Sequence, residues 1–242
     1  DSYFFYERIK DRLNGDLSEV IDYPDINSGF LFFDVDYDGN LWFSQKEGEI
    51  VRYGGKSDIR RYVLPEGSGL KRMESRNGKT LFLFSEGEVY SLADGSSEMT
   101  PYTSIPFKNE RYVEMYFDAD NVVWFYVAHS AHGNLISYDE RTSSLNGIRD
   151  SEGQEINFVT DVVDDGKGNL WISTDNSGII VYDKEDGTNH KLVKDQDEKY
   201  SIPSSHVECL YLDFQDMMWV GTSKRGISYT CLNETLFKKK DY

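Results

Sequence analysis

The chain contains little positive charge, few prolines and no long apolar segment. Its 242 residues include 26 lysines and arginines against 43 acidic residues, giving a formal net charge of −17. Such a charge repels phosphate backbones, so we expect no nucleic-acid partner. Because no run of about eighteen apolar residues is present, we expect no helix that spans a membrane.

Cysteine is also scarce, and it says little about the cellular compartment. Cys209 and Cys231 are the only two cysteines, and whether they pair depends on a Cα separation that the sequence does not give. Two small thiols, buried or half-buried, are favoured, and a disulfide stays open. The N-terminal residues show no signal-peptide pattern, which fits either a cytosolic protein or a trimmed chain.

Sustained apolar periodicity of the helical kind is missing as well, and a different repeat takes its place. One aromatic residue recurs inside a strand–turn–strand phrase, at intervals of 40, 42, 47 and 48 residues; the copies are Trp42, Phe82, Trp124, Trp171 and Trp219. All four tryptophans of the chain occupy this position. A period in the forties with several short strands per copy is typical of β-propellers.

The repeat therefore predicts an all-β fold, a β-propeller of about five four-stranded antiparallel blades. The predicted blades are residues 28–64, 65–105, 106–150, 151–195 and 196–242. Residues 1–27 are assigned to the outer strand of a preceding blade and a linker. We therefore expect the chain to belong to a longer propeller, seven-bladed or double, whose uncovered blade faces need a partner.

Three phrases of the repeat resemble a known family. DGNLWFS in blade one, GKGNLWISTDNSGIIVYD in blade four and MMWVGTSKRGISY in blade five are similar to the two-component regulator propeller repeat. The phrase SIPSSHV at 201–207 is similar to the segment that leads into a blade of that family. Blade one also resembles, more weakly, the repeat of streptogramin lyases, which are propeller enzymes. The four histidines do not recur from blade to blade, so no catalytic residue is carried over.

The resemblance implies a sensor, the periplasmic or otherwise extracytoplasmic part of a hybrid histidine kinase. It implies a segment without catalysis or cofactor, which binds an oligosaccharide or another small ligand. The implied partners are a neighbouring propeller or sandwich domain of the same protein, or a second copy in a homodimer. A streptogramin-lyase-like enzyme and a scaffold for protein–protein interaction stay open as alternatives.

Ligand binding is expected where the copies differ, in the loops after each aromatic strand and in the links between blades. A rigid scaffold positions such loops without depending on their sequence. Polar and planar side chains of these loops can hydrogen-bond a sugar or a docking domain. The candidate ligand-binding residues are Gln45, Lys46, His129, His132, Asp175, Asn176, Lys224 and Arg225.

Two motifs are compatible with metal binding, but neither leads us to predict a metal site. Asp34, Asp36 and Asp38 alternate before a glycine as in a calcium loop, yet Gln45 stands where such a loop needs a glutamate. A hairpin turn explains these residues better. His129 and His132 have a spacing that suits zinc on a helix, but they fall in a loop between strands.

The tryptophans themselves have two interpretations. Their faces could stack on sugar rings, or they could fill the space between neighbouring blades. A bulky side chain that recurs once per blade favours the second interpretation.

Overall fold

The structure is a computed structural model that describes residues 31–36, 38–44, 47–55, 57–66, 69–132, 134–232 and 238–239. The predicted outer strand within residues 1–27 lies outside this part of the chain. The chain divides into two compact units, Asp1–Lys108 and Asn109–Tyr242.

The first unit contains two four-stranded antiparallel sheets, which keep the names blade one and blade two. In each sheet the strands follow one another in chain order. Blade one consists of β1 (Phe32–Val35), β2 (Leu41–Ser44), β3 (Glu49–Gly55) and β4 (Asp58–Val63). Blade two consists of β5 (Leu70–Arg76), β6 (Lys79–Phe84), β7 (Glu88–Ala93) and β8 (Thr100–Ser104).

The second unit contains three sheets of the same type, blades three to five. Blade three consists of β9 (Val113–Phe117), β10 (Val122–Val127), β11 (Ile136–Asp139) and β12 (Ser144–Gly147). Blade four consists of β13 (Val159–Asp164), β14 (Asn169–Thr174), β15 (Ile179–Asp183) and β16 (Asn189–Leu192). Blade five consists of β17 (Val207–Leu212), β18 (Met217–Thr222), β19 (Gly226–Cys231) and β20 (Lys238–Lys239).

These sheets confirm the prediction of an all-β chain built from four-stranded antiparallel blades. Within the described ranges no helix is long and apolar enough to cross a membrane. The second strands of blades two, three and four have nearly continuous buried runs, in β6, β10 and β14. Both faces of such a strand are covered, so its sequence is apolar and aromatic instead of alternating.

Short turns set the register of these strands. Asn77 and Gly78 form the two-residue turn between β5 and β6, and their φ angles are 51° and 73°. Two consecutive positive φ angles are typical of a type I′ hairpin turn, whose twist matches that of the paired strands.

The core of each unit lies between its neighbouring blades. In the first unit, the rings of Trp42 from blade one and Phe82 from blade two meet edge to face at 5.5 Å. In the second unit, Trp124 of blade three packs in the same way on Tyr182 of blade four, at 6.2 Å. Trp171 of blade four packs in a cluster with apolar side chains of blade five. The interpretation of the tryptophans as inter-blade packing residues is confirmed for these three.

The apolar sequence HVECLYLD at 206–213 predicts a first strand of blade five that is buried on both faces, and this prediction is wrong. Glu208, Cys209 and Tyr211 of β17 are exposed. The exposure of Cys209 also contradicts the expectation that both thiols are buried or half-buried. Only the face that carries Val207 and Leu210 packs on blade four. Within blades three to five no described sheet covers the other face, and its side chains are in solvent.

Candidate functional site

Each tryptophan of the repeat is bound to an aspartate six residues before it. The indole N–H donates to a carboxylate oxygen in every case. The pairs are Trp42–Asp36 at 2.9 Å, Trp124–Asp118 at 2.9 Å, Trp171–Asp165 at 3.3 Å and Trp219–Asp213 at 2.8 Å.

The same aspartate also shapes the hairpin between the first two strands. In blade one the Asp36 carboxylate accepts hydrogen bonds from the backbone N–H and the side-chain amide of Asn40. Blade two lacks the whole arrangement, because Phe82 has no N–H to donate. Its hairpin is crossed instead by a hydrogen bond between the hydroxyls of Ser75 and Thr80, at 3.1 Å.

The Asp–Trp pairs argue against two kinds of site, a calcium loop in blade one and sugar stacking on the tryptophans. The Asp34–Asp36–Asp38 motif is part of a hairpin, as predicted, and Asp36 is occupied by Asn40 and Trp42. The tryptophan edges point into the blades and are engaged there. Our sequence reasoning did not identify these aspartates. The signal was present, because an acid precedes every tryptophan by six residues and none precedes Phe82 at that distance.

The loop residues predicted to bind ligand have different surroundings in the structure. Gln45 and Lys46 lie outside the described residues. His129 and His132 are exposed in the loop after β10. The His129 backbone N–H donates to the Val159 carbonyl, and that of His132 donates to the Ser130 hydroxyl. Neither imidazole is part of the carboxylate cluster that the described residues offer to a metal.

The other four candidates belong to blades four and five, and three of them meet around His206. Asn176 is exposed beside Asp175. A carboxylate oxygen of Asp175 lies 3.4 Å from the imidazole Nδ1 of His206. Lys224 and Arg225 lie in the turn between β18 and β19 and line a cavity together with His206.

This cavity, which we call the basic pocket, has a volume of about 760 Å³. Its floor and walls come from the link before blade five and from the turn after β18. The lining residues are Lys194, Pro203, Ser204, Ser205, His206, Ser223, Lys224 and Arg225. The sequence predicted binding in the links between blades, but it did not single out Lys194, His206 or the serines.

Backbone hydrogen bonds hold the two segments of the basic pocket together. The Ser223 N–H donates to the His206 carbonyl at 3.2 Å, and the Gly178 N–H donates to the Ser205 carbonyl at 2.9 Å. The Ser205 hydroxyl accepts a hydrogen bond from the Lys194 N–H at 3.1 Å. The cationic side chains therefore start from fixed positions on the scaffold.

The basic pocket is lined by two lysines, one arginine and one histidine. In the part of the chain that the structure describes, no carboxylate forms an ion pair with Lys194, Lys224 or Arg225. Among these described lining residues, His206 alone contacts a carboxylate, that of Asp175. An excess of cations at one place is unusual for a chain with net charge −17.

A second cavity, of about 270 Å³, lies within the first unit between blades one and two. It is lined by three arginines, but acids already bind two of them. Asp58 accepts hydrogen bonds from Arg52 at 2.8 Å and from Arg60 at 2.9 Å. The hydrogen bond from Arg52 contributes most to lowering the pKa of Asp58 below its usual value. The paired charges make this cavity a weaker candidate for ligand binding than the basic pocket.

A cluster of three aspartates joins blades three and four, and a lysine occupies it. The Lys184 ammonium contacts Asp118, Asp120 and Asp164. Burial alone lowers the pKa of Lys184, but the hydrogen bonds to Asp120 and Asp164 outweigh it and raise that pKa. The three carboxylates have an arrangement that could hold a metal ion, but the ammonium already supplies the positive charge.

Comparison with known proteins gives a family match for one segment of blade four. Residues 153–176, which include Trp171, match the family model described as "Two component regulator propeller". The resemblance found in the sequence is thereby confirmed for this segment. A comparison with curated protein sequences found no significant match.

Solved structures show the same fold. A catalytically inactive virginiamycin B lyase from Staphylococcus aureus is 16% identical with a TM-score of 0.60, covering 89% of this chain and 71% of the lyase. The extracellular domain of the putative hybrid two component system BT3049 from B. thetaiotaomicron is 17% identical with a TM-score of 0.56. That match covers 88% of this chain but only 30% of the larger protein.

At these identities the structural likeness establishes the fold alone. The five sheets are the blades of a β-propeller, and one of them carries the sequence signature of a signalling family. The chain therefore has the β-propeller fold, and its residues 153–176 match the propeller repeat of two-component regulators.

Proposed function

We propose that this chain is a non-catalytic ligand-binding segment of a two-component signalling protein, and that it senses an oligosaccharide or another small molecule. The observation that carries the proposal is the repeat match at residues 153–176. That segment ends in the loop of Asp175 and Asn176, beside the basic pocket. The extracellular location of the BT3049 domain supports an extracytoplasmic location for this chain as well.

The proposed mechanism is a population shift. A ligand that binds the loops more tightly in one arrangement of the parent protein favours that arrangement, and the kinase activity follows. The proposed partners are a neighbouring propeller or sandwich domain, or a second copy in a homodimer. Exposed aromatic side chains of blade five, Tyr211 and Phe214, offer apolar surface for such a contact.

The lyase alternative has weaker support. It rests on likeness of fold at 16% identity, and fold does not determine chemistry. Of the four histidines, only His206 shares the basic pocket, and its ring faces Asp175.

Thermal unfolding with a saccharide library tests the proposal. A ligand at a hundred times its Kd stabilises the folded state by about 2.7 kcal/mol. For a chain of this size that corresponds to roughly 5–10 °C in Tm. A stabilising saccharide that is recovered unchanged after incubation supports a sensor. Turnover of a bound compound, or no stabilisation across the library, contradicts it.

A further inference from the structure

The basic pocket defines the chemical class of the ligand. We infer that it binds an oxyanion group, a carboxylate or a sulfate, carried by the saccharide that this propeller senses. The inference rests on the proposed function, because it names the ligand class of the same loops.

The basic pocket concentrates positive charge. Lys194, Lys224 and Arg225 are exposed, and no acid of the described chain neutralises them. Like charges brought together repel one another, and the repulsion is relieved when an anion binds between them. Ammonium and guanidinium groups form their strongest hydrogen bonds with carboxylate, sulfate and phosphate oxygens.

The two segments that carry these cations are preorganised by hydrogen bonds. The link before blade five and the turn after β18 are joined by the hydrogen bond from Ser223 to His206. The turn itself is closed by the Thr222 hydroxyl, which donates to the Gly226 carbonyl at 2.9 Å. A scaffold that already holds its cationic residues close together loses less entropy when it binds an anion.

The volume and the lining of the basic pocket indicate what kind of molecule carries the anionic group. A cavity of about 760 Å³ is of the size that encloses small organic ligands, and much larger than a bare inorganic ion. Besides the cations, its lining contains three serine hydroxyls. The Asp175 carboxylate lies just behind the lining, 3.4 Å from the His206 imidazole. A carboxylate repels a free anion but accepts hydrogen bonds from sugar hydroxyls. The combination fits an acidic sugar better than free phosphate.

Two double variants of the 242-residue chain test this inference. The first, Lys224→Ser with Arg225→Ser, removes two cations from the basic pocket. The second, Lys108→Ser with Arg111→Ser, removes two exposed cations elsewhere and serves as the control with the same change in net charge. Titration calorimetry measures a panel of uronic-acid and sulfated oligosaccharides, their neutral counterparts of equal length, and inorganic phosphate.

We expect an acidic oligosaccharide to bind the parent chain and the control, and to bind the pocket variant about tenfold more weakly, since a charged hydrogen bond contributes that much or more. Binding should weaken as salt is raised. Equal binding of neutral and acidic sugars, unchanged in the pocket variant, overturns the inference while the sensing proposal stands. Phosphate binding that the pocket variant loses, without binding of any sugar, supports the oxyanion chemistry and overturns saccharide sensing. If no probe binds, both fail.

Discussion

Substitution of Lys184 by methionine should destabilise the unit of blades three to five more than any other loss of one surface charge. The Lys184 ammonium is the counter-ion of Asp118, whose side chain is fully buried, and of Asp164, whose side chain is 2% exposed. Removing one partner of a buried ion pair costs about 3–5 kcal/mol. The total free energy of unfolding of a domain is about 5–15 kcal/mol, so the effect is large.

Lys167→Met is the matched control for this experiment. Lys167 also bridges two blades, through Asp216 at 2.9 Å, but its side chain is 38% exposed and that of Asp216 is 54% exposed. An exposed pair of this kind contributes about 1 kcal/mol or less. Urea unfolding, followed by tryptophan fluorescence because Trp124 and Trp171 are buried in this unit, measures both variants. Equal losses in the two variants would refute the argument that burial of the carboxylates sets the cost.

The pH dependence of the free energy of unfolding tests the role of Lys184 independently. Burial raises the pKa of Asp164, but the hydrogen bond from Lys184 and two backbone N–H groups outweigh it and lower that pKa below the usual value. Its contribution to stability is therefore present above the ordinary carboxyl pKa of about 4 and is lost as the pH falls below it. In the Lys184→Met variant Asp164 loses its cation, so burial outweighs the remaining backbone hydrogen bonds and the pKa of Asp164 rises. That variant should become more stable as the pH falls from 7 towards 5, whereas the parent chain should not.

Millimolar calcium should also stabilise only the variant, because the three carboxylate groups can together hold a cation.

Three further predictions concern backbone and side-chain contacts. Gly178→Ala should lower the free energy of unfolding by more than about 2 kcal/mol, because φ is +77° and a Cβ would lie 2.2 Å from the Leu192 carbonyl oxygen. Gly226→Ala is the control, since φ is +73° but the space around it is open, and it should cost about 1 kcal/mol. Similar losses for the two variants in urea unfolding would contradict the steric argument. Asp36→Ala should lower the free energy of unfolding by about 2–3 kcal/mol, because the buried indole N–H of Trp42 and the hairpin amides lose their acceptor. A loss below about 0.5 kcal/mol in the same assay would contradict a structural role for the Asp–Trp pair. Both cysteines are free thiols and Cys209 is exposed. Iodoacetamide should therefore label Cys209 in the native protein, as mass spectrometry can detect, and a reductant should leave Tm unchanged. A Cys209 thiol that reacts only after reduction would contradict this prediction.

The repeated aromatic residue was enough to predict the blades, because each blade needs the same side chain at the same depth to fill the space beside its neighbour. Regular spacing of Trp42, Phe82 and the three later tryptophans is therefore visible in the sequence. The same regularity indicates that these residues do not form the binding site. Phe82 shows how far the pattern tolerates change, since a ring without an N–H donor fits once the aspartate is absent too.

The candidate site was predictable only in part. The position of Lys224 and Arg225 in a variable turn follows from the strand pattern. Their proximity to Lys194 and His206 does not, because the link before blade five is held beside the turn after β18 by tertiary hydrogen bonds, those of Ser223 with His206 and of Lys194 with Ser205. Charge pairing is equally invisible in the sequence. Nothing in the order of residues distinguishes the arginines that Asp58 neutralises from the cations of the basic pocket, which pair with no carboxylate in the described ranges.

The sequence by itself determined the all-β architecture, the blade period and the kinship of the repeat, because these depend on local periodicity and on side chains that recur. The tertiary structure alone decided that Lys184 fills the aspartate cluster and that Lys194, Lys224 and Arg225 share one cavity. Electrostatic interactions act through distance and burial, and both are set by packing between blades that the chain reaches only when it folds.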